Sequence, residues 1–324
     1  MAAHESGAPG PEALPRNSSG SRVQLPRRPS SARESVAVVR ARALAGLPRS
    51  GSGVPNDQRT RIAFVVAARD EERAIGGVLA GLPKETDALR YRAFVCDDGS
   101  TDGTSRVAGA AGAVVLRHSR NLGIGAALTT AMQAARVWGA DVFVQIDADG
   151  QHDPTLTPRL LDPIARGEAD YVIGSRFLVR TVGLAPVRRA GVRIYSRLVK
   201  LLTGLPITDV TSGFRAFRAG VFDQLTFRSQ KNWAVEVTLR AGLNRLRVVE
   251  VPAPYLPRIG GTSQFALRRL FFVYHYRVLQ QVFRAYTSPH APRGLAPTGG
   301  IAVEVPVPAG PNASADAPRP PSRD

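Results

Sequence analysis

From residue 61 to residue 177 one pattern recurs: a short apolar run, a cluster of polar residues, then a stretch of helical periodicity. The runs are 62–67, 93–96, 113–116, 142–146 and 171–173, rich in β-branched side chains and of the length of buried strands. Helical stretches separate them, such as Ile75, Val78, Leu79 and Leu82, then 126–138 and 157–166. Strands alternating with helices at this spacing predict an α/β fold with a mostly parallel, doubly wound sheet. The carboxyl ends of such a sheet share one edge, where ligands bind. The polar clusters follow the runs and therefore gather there: Arg69 to Glu72, Asp97-Asp98, Asp147-Ala148-Asp149 and Ser175-Arg176.

The run at 142–146 breaks into Asp147 and Asp149, with Gly150, Gln151, His152 and Asp153 behind. Two carboxylates at a strand end, turned toward one point, suit a hard divalent cation, Mg²⁺ or Mn²⁺, of the kind that also holds substrate phosphates. A solvated turn uses the same residue types, so the pair alone does not decide between them.

Composition narrows the partners. Lys and Arg total 43 against 26 acids, a net charge of +17, which suits nucleic acid, anionic lipid or phosphorylated substrates. The charge is scattered and carries no recognition motif or aromatic-interleaved basic patch, so nucleic acid is not an expected partner. The single Cys96 excludes an internal disulfide and a cysteine-rich zinc site. No signal-peptide-like core and no bilayer-length apolar stretch stand in the sequence, which places the expected protein in the cytoplasm.

Residues 1–58 and 287–324 are rich in Pro, Ala, Gly and Ser, the composition of disordered tails, the first of them basic. Residues 59–264 read as the folded domain, and 265–286 as an amphipathic helix that lies at a membrane interface or packs on a protein surface. Within the second half of the domain, 186–202 is a basic amphipathic helix. Asp209, Arg215, Glu236 and Arg258 are charges in apolar or Gly-rich contexts, where a buried charge needs a partner or a ligand. For Glu236 an ion pair with a neighbouring arginine is the competing reading.

Seven segments in order carry a resemblance: AARDEE (67–72), DDGSTDGT (97–104), NLGIGAAL (121–128), DADGQHDP (147–154), GSRF (174–177), TSGFR (211–215) and PRIGGTS (257–263). Together they resemble a family 2 glycosyltransferase, nearest to the polyprenyl-phosphate (dolichyl-phosphate) mannose or glucose synthases. The resemblance implies a GT-A fold, a GDP- or UDP-hexose donor, a divalent metal at the D-x-D motif, inversion at the anomeric carbon and a polyprenyl phosphate acceptor. It implies work at the inner face of the cell membrane, as a peripheral protein. A glycan, glycolipid or secondary-metabolite hydroxyl is the alternative acceptor, and a non-catalytic nucleotide-sugar binder the alternative class.

By position, the resemblance assigns Asp147, Asp149 and Gln151 to metal and diphosphate. Asp98 goes to the nucleoside, and Ala67, Arg69 and Glu71 to the first donor loop, with Ser175 and Arg176 also on the donor side. Arg215, Arg258 and Ser263 go to the acceptor phosphate. A hydroxyl acceptor would need a general base, for which Asp209 and Glu236 are the candidates; an ionised lipid phosphate needs none. The family usually has Pro, Tyr and Asn in the donor loop where this chain has Ala67, Arg69 and Asp70, so the nucleobase pocket is altered. The last motif usually ends Ser-Lys, and here Gln264 follows Ser263.

Overall fold

The computed structural model describes residues 59–179, 186–225 and 233–258, together with Gln280. The two expected tails, the rest of the helix expected at 265–286, and Ser263 lie outside the described residues.

The first half alternates as the periodicity predicts. Strand β1 (Thr60–Ala68) leads to helix α1 (Glu72–Ala80), β2 (Leu89–Asp97) to α2 (Thr104–Ala110), and β3 (Val114–Arg117) to α3 (Ile124–Trp138). Strand β4 (Val142–Gln145) is followed by a 3₁₀ turn (Pro154–Leu156) and α4 (Thr157–Ala165), then β5 (Tyr171–Ser175) and α5 (Pro186–Thr203). Strand β6 (Arg215–Arg218), α6 (Ala219–Gln224), α7 (Trp233–Leu243) and β7 (Val248–Pro252) complete the order.

The strands form one seven-stranded sheet in the order β3-β2-β1-β4-β6-β5-β7. All neighbours run parallel except β6, which is antiparallel to both β4 and β5. The mixed α/β, mostly parallel architecture is the one the sequence predicts. The reversed strand is not, because residues 215–218, Arg-Ala-Phe-Arg, carry no apolar run.

Period-two alternation divides each strand between two cores. On β1, Ile62, Phe64 and Val66 point to the layer of α1, α2 and α4, while Ala63 and Val65 point to that of α3, α5 and α7. Each such Ile, Val or Phe taken wholly out of water contributes about 1.5–3 kcal/mol. Helix α3 meets the sheet through small residues, Ala127, Ala131, Ala134 and Ala135, and ends at Gly139, whose left-handed φ of 85° lets the chain turn into β4. No helix among the described residues is long and apolar enough to cross a membrane.

Candidate active site

Strand order places the site. From β1 the chain steps outward to β2 and β3, then crosses back to form β4 on the other side. Such a reversal opens a crevice at the strands' carboxyl ends. The loop after β1 (69–71) and the loop after β4 (146–150) both leave the sheet there. Because β6 runs antiparallel, the segment that precedes it, 211–214, reaches the same edge: Arg215 pairs with Gln145 at the end of β4. The segment after β7 arrives there too, and Leu256 N donates to the Gln151 carbonyl at 2.8 Å.

Three remote segments thus bring Glu71, Asp147, Asp149 and Arg258 together. Arg258 Nη2 donates to Glu71 Oε1 and stands 3.6 Å from Asp149 Oδ2. The Glu71 and Asp149 side chains are only 11% and 13% exposed, so water screens them weakly. Burial pushes the Asp149 carboxyl up, and the charge of Asp147 pushes it further, against the Gln151 amide and Arg258. For Asp147 burial also acts upward, but His152, Arg176 and Arg188 outweigh it and hold the carboxyl below the usual range. Burial raises Glu71 as well; Arg258 opposes, and repulsion from Asp149 and Asp147 adds to the rise. Arg258 is the arginine in direct contact with Glu71 and Asp149, while Arg176 and Arg188 act on Asp147 from further off.

Two further features frame Asp147. Gly213 lies so close that a Cβ there would collide with the Asp147 carboxylate. His152, 1% exposed, sits between the rings of Phe214 (5.6 Å) and Tyr255 (5.2 Å), with Nε2 3.6 Å from Asp147 Oδ2. Neither of its ring nitrogens has a hydrogen-bond partner. An imidazole so placed can donate to Asp147 after a small shift.

The donor set fits a divalent cation. Two crowded carboxylates, one with its pKa raised by the other, gain most from a shared ion. Among the described residues no three of His, Cys, Asp and Glu cluster to hold an ion by themselves. A hard cation taken by Asp147 and Asp149 would have positions left for phosphate oxygens. Gln151, the third expected ligand, is engaged otherwise: its Oε1 accepts from Tyr255 Oη at 2.5 Å and its amide donates to the Leu256 carbonyl at 3.4 Å.

The second wall is cationic. Arg176 is buried and paired in two contacts with Asp209, Nε to Oδ2 at 2.6 Å and Nη2 to Oδ1 at 2.7 Å. Asp209 is in turn positioned through Glu250, whose carboxylate accepts from Asp209 N, Thr208 N and Thr208 Oγ1 at 2.7–2.8 Å. The Arg176 guanidinium lies 5.0 Å from the Tyr255 ring centre, and that of Arg188 5.8 Å from the same ring. Arg188, in the first turn of α5, is exposed and contributes to the field at Asp147.

Other expected site residues do structural work. Arg215 is wholly buried, and its guanidinium donates to the carbonyls of Ser212, Val210 and Ala234 and to Tyr171 Oη and Thr238 Oγ1. This corrects the expected phosphate contact: a guanidinium enclosed by protein acceptors has no face for a ligand. Glu236 pairs with Arg240 at 2.8 Å, both buried on one face of α7, so the ion-pair reading of Glu236 is the one realised. Ser175 is also buried, its hydroxyl bonded to Thr208 Oγ1 at 2.8 Å.

Asp98 fastens the loop before α3, accepting from Leu122 N (2.8 Å), Gly123 N (2.7 Å) and the His118 ring (2.7 Å). Ala67 pairs with Cys96 one residue before the end of β1, and Arg69 is half-exposed with Nε 3.6 Å from Asp70. Sequence reasoning did not single out Arg188, His152 or Glu250. For His152 its place five residues after Asp147 was the available signal; for Arg188, one of five bases on a helix, there was none.

The fold and this strand-end acidic site define the class. Residues 63–226 match the model of glycosyl transferase family 2. The chain belongs to that family, and it is a glycosyltransferase. It is 33% identical over 202 residues to a dolichyl-phosphate hexose transferase of Haloferax volcanii, covering 62% of this chain and 86% of the relative. It is 34% identical over 188 residues to a polyprenol monophosphomannose synthase of Mycolicibacterium smegmatis, covering 53% and 69%. To an undecaprenyl-phosphate mannosyltransferase of Micrococcus luteus it is 32% identical over 201 residues, covering 59% and 80%. Among solved structures it resembles glucosyl-3-phosphoglycerate synthase from Mycobacterium tuberculosis in complex with Mn²⁺, UDP and glucosyl-3-phosphoglycerate, with a TM-score of 0.56 at 20% identity over 80% of this chain and 92% of that one. The likeness is one of fold, GT-A.

Proposed function

We propose that the protein transfers a hexose, with inversion, from a GDP- or UDP-hexose to a polyprenyl phosphate, using Mg²⁺ or Mn²⁺, at the inner membrane face. The observation that carries the acceptor assignment is the state of the two candidate bases: Asp209 is held by Arg176 and Glu236 by Arg240, both in buried pairs. A hydroxyl acceptor needs a base, and neither carboxylate is available for that work. A phosphate monoester is already ionised near neutral pH and attacks without one. The relatives named for dolichyl, polyprenol and undecaprenyl phosphates support the same choice.

Breaking the sugar–phosphate bond throws negative charge onto the leaving diphosphate. A cation bound by Asp147 and Asp149 would supply Lewis-acid neutralisation of that charge. Gln151 would join as a ligand only by releasing Tyr255. Arg258, held between Glu71 and Asp149, adds a fixed positive charge on the donor side. Arg188, free of carboxylate partners on its own helix and placed over Tyr255, is suited to the incoming phosphate. Arg176 acts beneath it, holding Tyr255 and the 209–211 loop in place.

The test is incorporation of label from GDP- and UDP-hexoses into lipid extracts with Mn²⁺ present. Label in a mild-acid-labile lipid is the expected result. Label confined to aqueous glycan overturns the acceptor assignment.

A further inference from the structure

Helix α5 carries a surface that the fold does not use. Its inner face, Val192, Tyr195 and Val199, packs on the core. On its outer face Val187, Ile194 and Leu201 are 63%, 59% and 82% exposed, the most exposed large apolar side chains among the described residues. They are spaced seven apart, which brings each back to within roughly 20° of the last on a helix of 3.6 residues per turn. The stripe runs about 21 Å along the axis. Arg193, Arg197 and Lys200 flank it, all exposed, and the helix has five bases and no acid. Arg193 also stacks on Phe177 at 5.7 Å, which keeps the loop carrying the exposed Leu178 (44%) beside the helix.

We infer that the outer face of α5 seats the protein on an anionic lipid surface, its apolar stripe at the level of the headgroups and its bases on lipid phosphates. An apolar stripe beside a row of cations is the composition of an interfacial helix. A second copy is a poor occupant, since a two-fold contact would set the three flanking cations against three more. The same helix carries Arg188, roughly 120° round from Ile194, to the Asp147 and Tyr255 wall. A lipid acceptor drawn to the outer face would bring its phosphate to the helix that carries Arg188. This last step rests on the proposed lipid phosphate acceptor; the membrane contact does not.

The experiment uses the full chain and the double variant Ile194→Glu/Leu201→Glu, whose positions face solvent. Co-sedimentation is measured with phosphatidylcholine vesicles with and without phosphatidylglycerol. Wild type is expected on the anionic vesicles, and the variant is expected to bind on the order of tenfold less or weaker still. Turnover on a short, water-soluble polyprenyl phosphate should be equal in the two proteins, while turnover on vesicle-embedded acceptor should fall in the variant. Equal vesicle binding by wild type and variant, or none by wild type, overturns the inference. So does a variant that loses thermal stability, which would mean the face is covered by another part of the chain. A dimeric wild type and monomeric variant with unchanged vesicle binding would make the face a self-association surface instead. Vesicle binding as expected, with no transfer to any lipid phosphate, leaves this inference standing and removes the acceptor assignment.

Discussion

At the scale of single residues the site is a balance of like charges. Asp149 has its carboxyl pushed up by burial and by Asp147, so its ionised form is disfavoured in the fold. A group whose folded pKa is raised above its unfolded value binds more protons when folded, and ionising it at higher pH weakens the fold. Asp149→Asn, which mimics the neutral acid and keeps the Oδ1 that accepts from Gln151, is therefore expected to stabilise the metal-free protein. A rise of about 2–4 °C in Tm corresponds to ~1 kcal/mol for a domain of this size. The same variant should lose the Mn²⁺-dependent rise expected of wild type, and turnover should fall by about 3–5 kcal/mol of transition-state stabilisation. Metal-dependent melting curves and initial rates check the three together. A variant that melts lower without metal would contradict the crowded-carboxylate account. Asp70 shows a different residue-scale point. It stands at a φ of 54°, which Asp and Asn both tolerate, so the change from the family's Asn keeps the loop geometry while altering its charge.

At the scale of elements β6 does more than complete the sheet. Its antiparallel direction delivers Gly213 against Asp147 and sinks Arg215 into the core. Gly213→Ala puts a methyl group onto the Asp147 carboxylate, which can swing aside at small cost in stability. Mn²⁺ affinity is expected to fall on the order of tenfold or more, the scale of losing a ligand's support, with little change in melting. Electron paramagnetic resonance of free Mn²⁺ measures the first, and calorimetry the second. Arg215→Met behaves oppositely. It strands buried carbonyls of Val210, Ser212 and Ala234, each costing about 1–3 kcal/mol when left unpaired. Denaturant titration should show a loss of roughly 3 kcal/mol or more. A folded Arg215→Met protein of normal stability, impaired only in phosphate binding, would restore the ligand role.

At the scale of the molecule, the candidate site exists only when distant segments meet. Ligands that bind the folded state stabilise it by mass action. A matching nucleotide-sugar with Mn²⁺ should raise Tm, by about 2.7 kcal/mol of stability at a hundredfold excess over Kd. Melting curves with GDP- and UDP-hexoses decide the base preference that the altered loop at Ala67, Arg69 and Asp70 leaves open. Neither nucleotide should act fully without metal, since Asp147 and Asp149 would then repel the diphosphate. Equal stabilisation with and without Mn²⁺ would speak against a metal held between donor and protein.

The strand–helix alternation, the strand-end gathering of polar clusters and the Asp147–Asp149 pair could all be read from the amino-acid sequence. Each depends on neighbours a few residues apart, through burial periodicity and the geometry of a chain leaving a strand. The roles of the isolated charges could not be read that way. Arg215, Asp209 and Glu236 all read as charges in apolar or Gly-rich surroundings, and a ligand site and a satisfied core charge share that signature. What separates them is partners: backbone carbonyls for Arg215, Arg176 for Asp209, Arg240 for Glu236. Arg258 meets Glu71 across 187 residues of chain, a pairing that only the order of the sheet brings about. Local sequence therefore determined the class of fold and the pair of strand-end carboxylates. Tertiary structure decided which charges reach the strand-end crevice and which are sunk in the core, because that depends on which strands lie side by side and which way β6 runs.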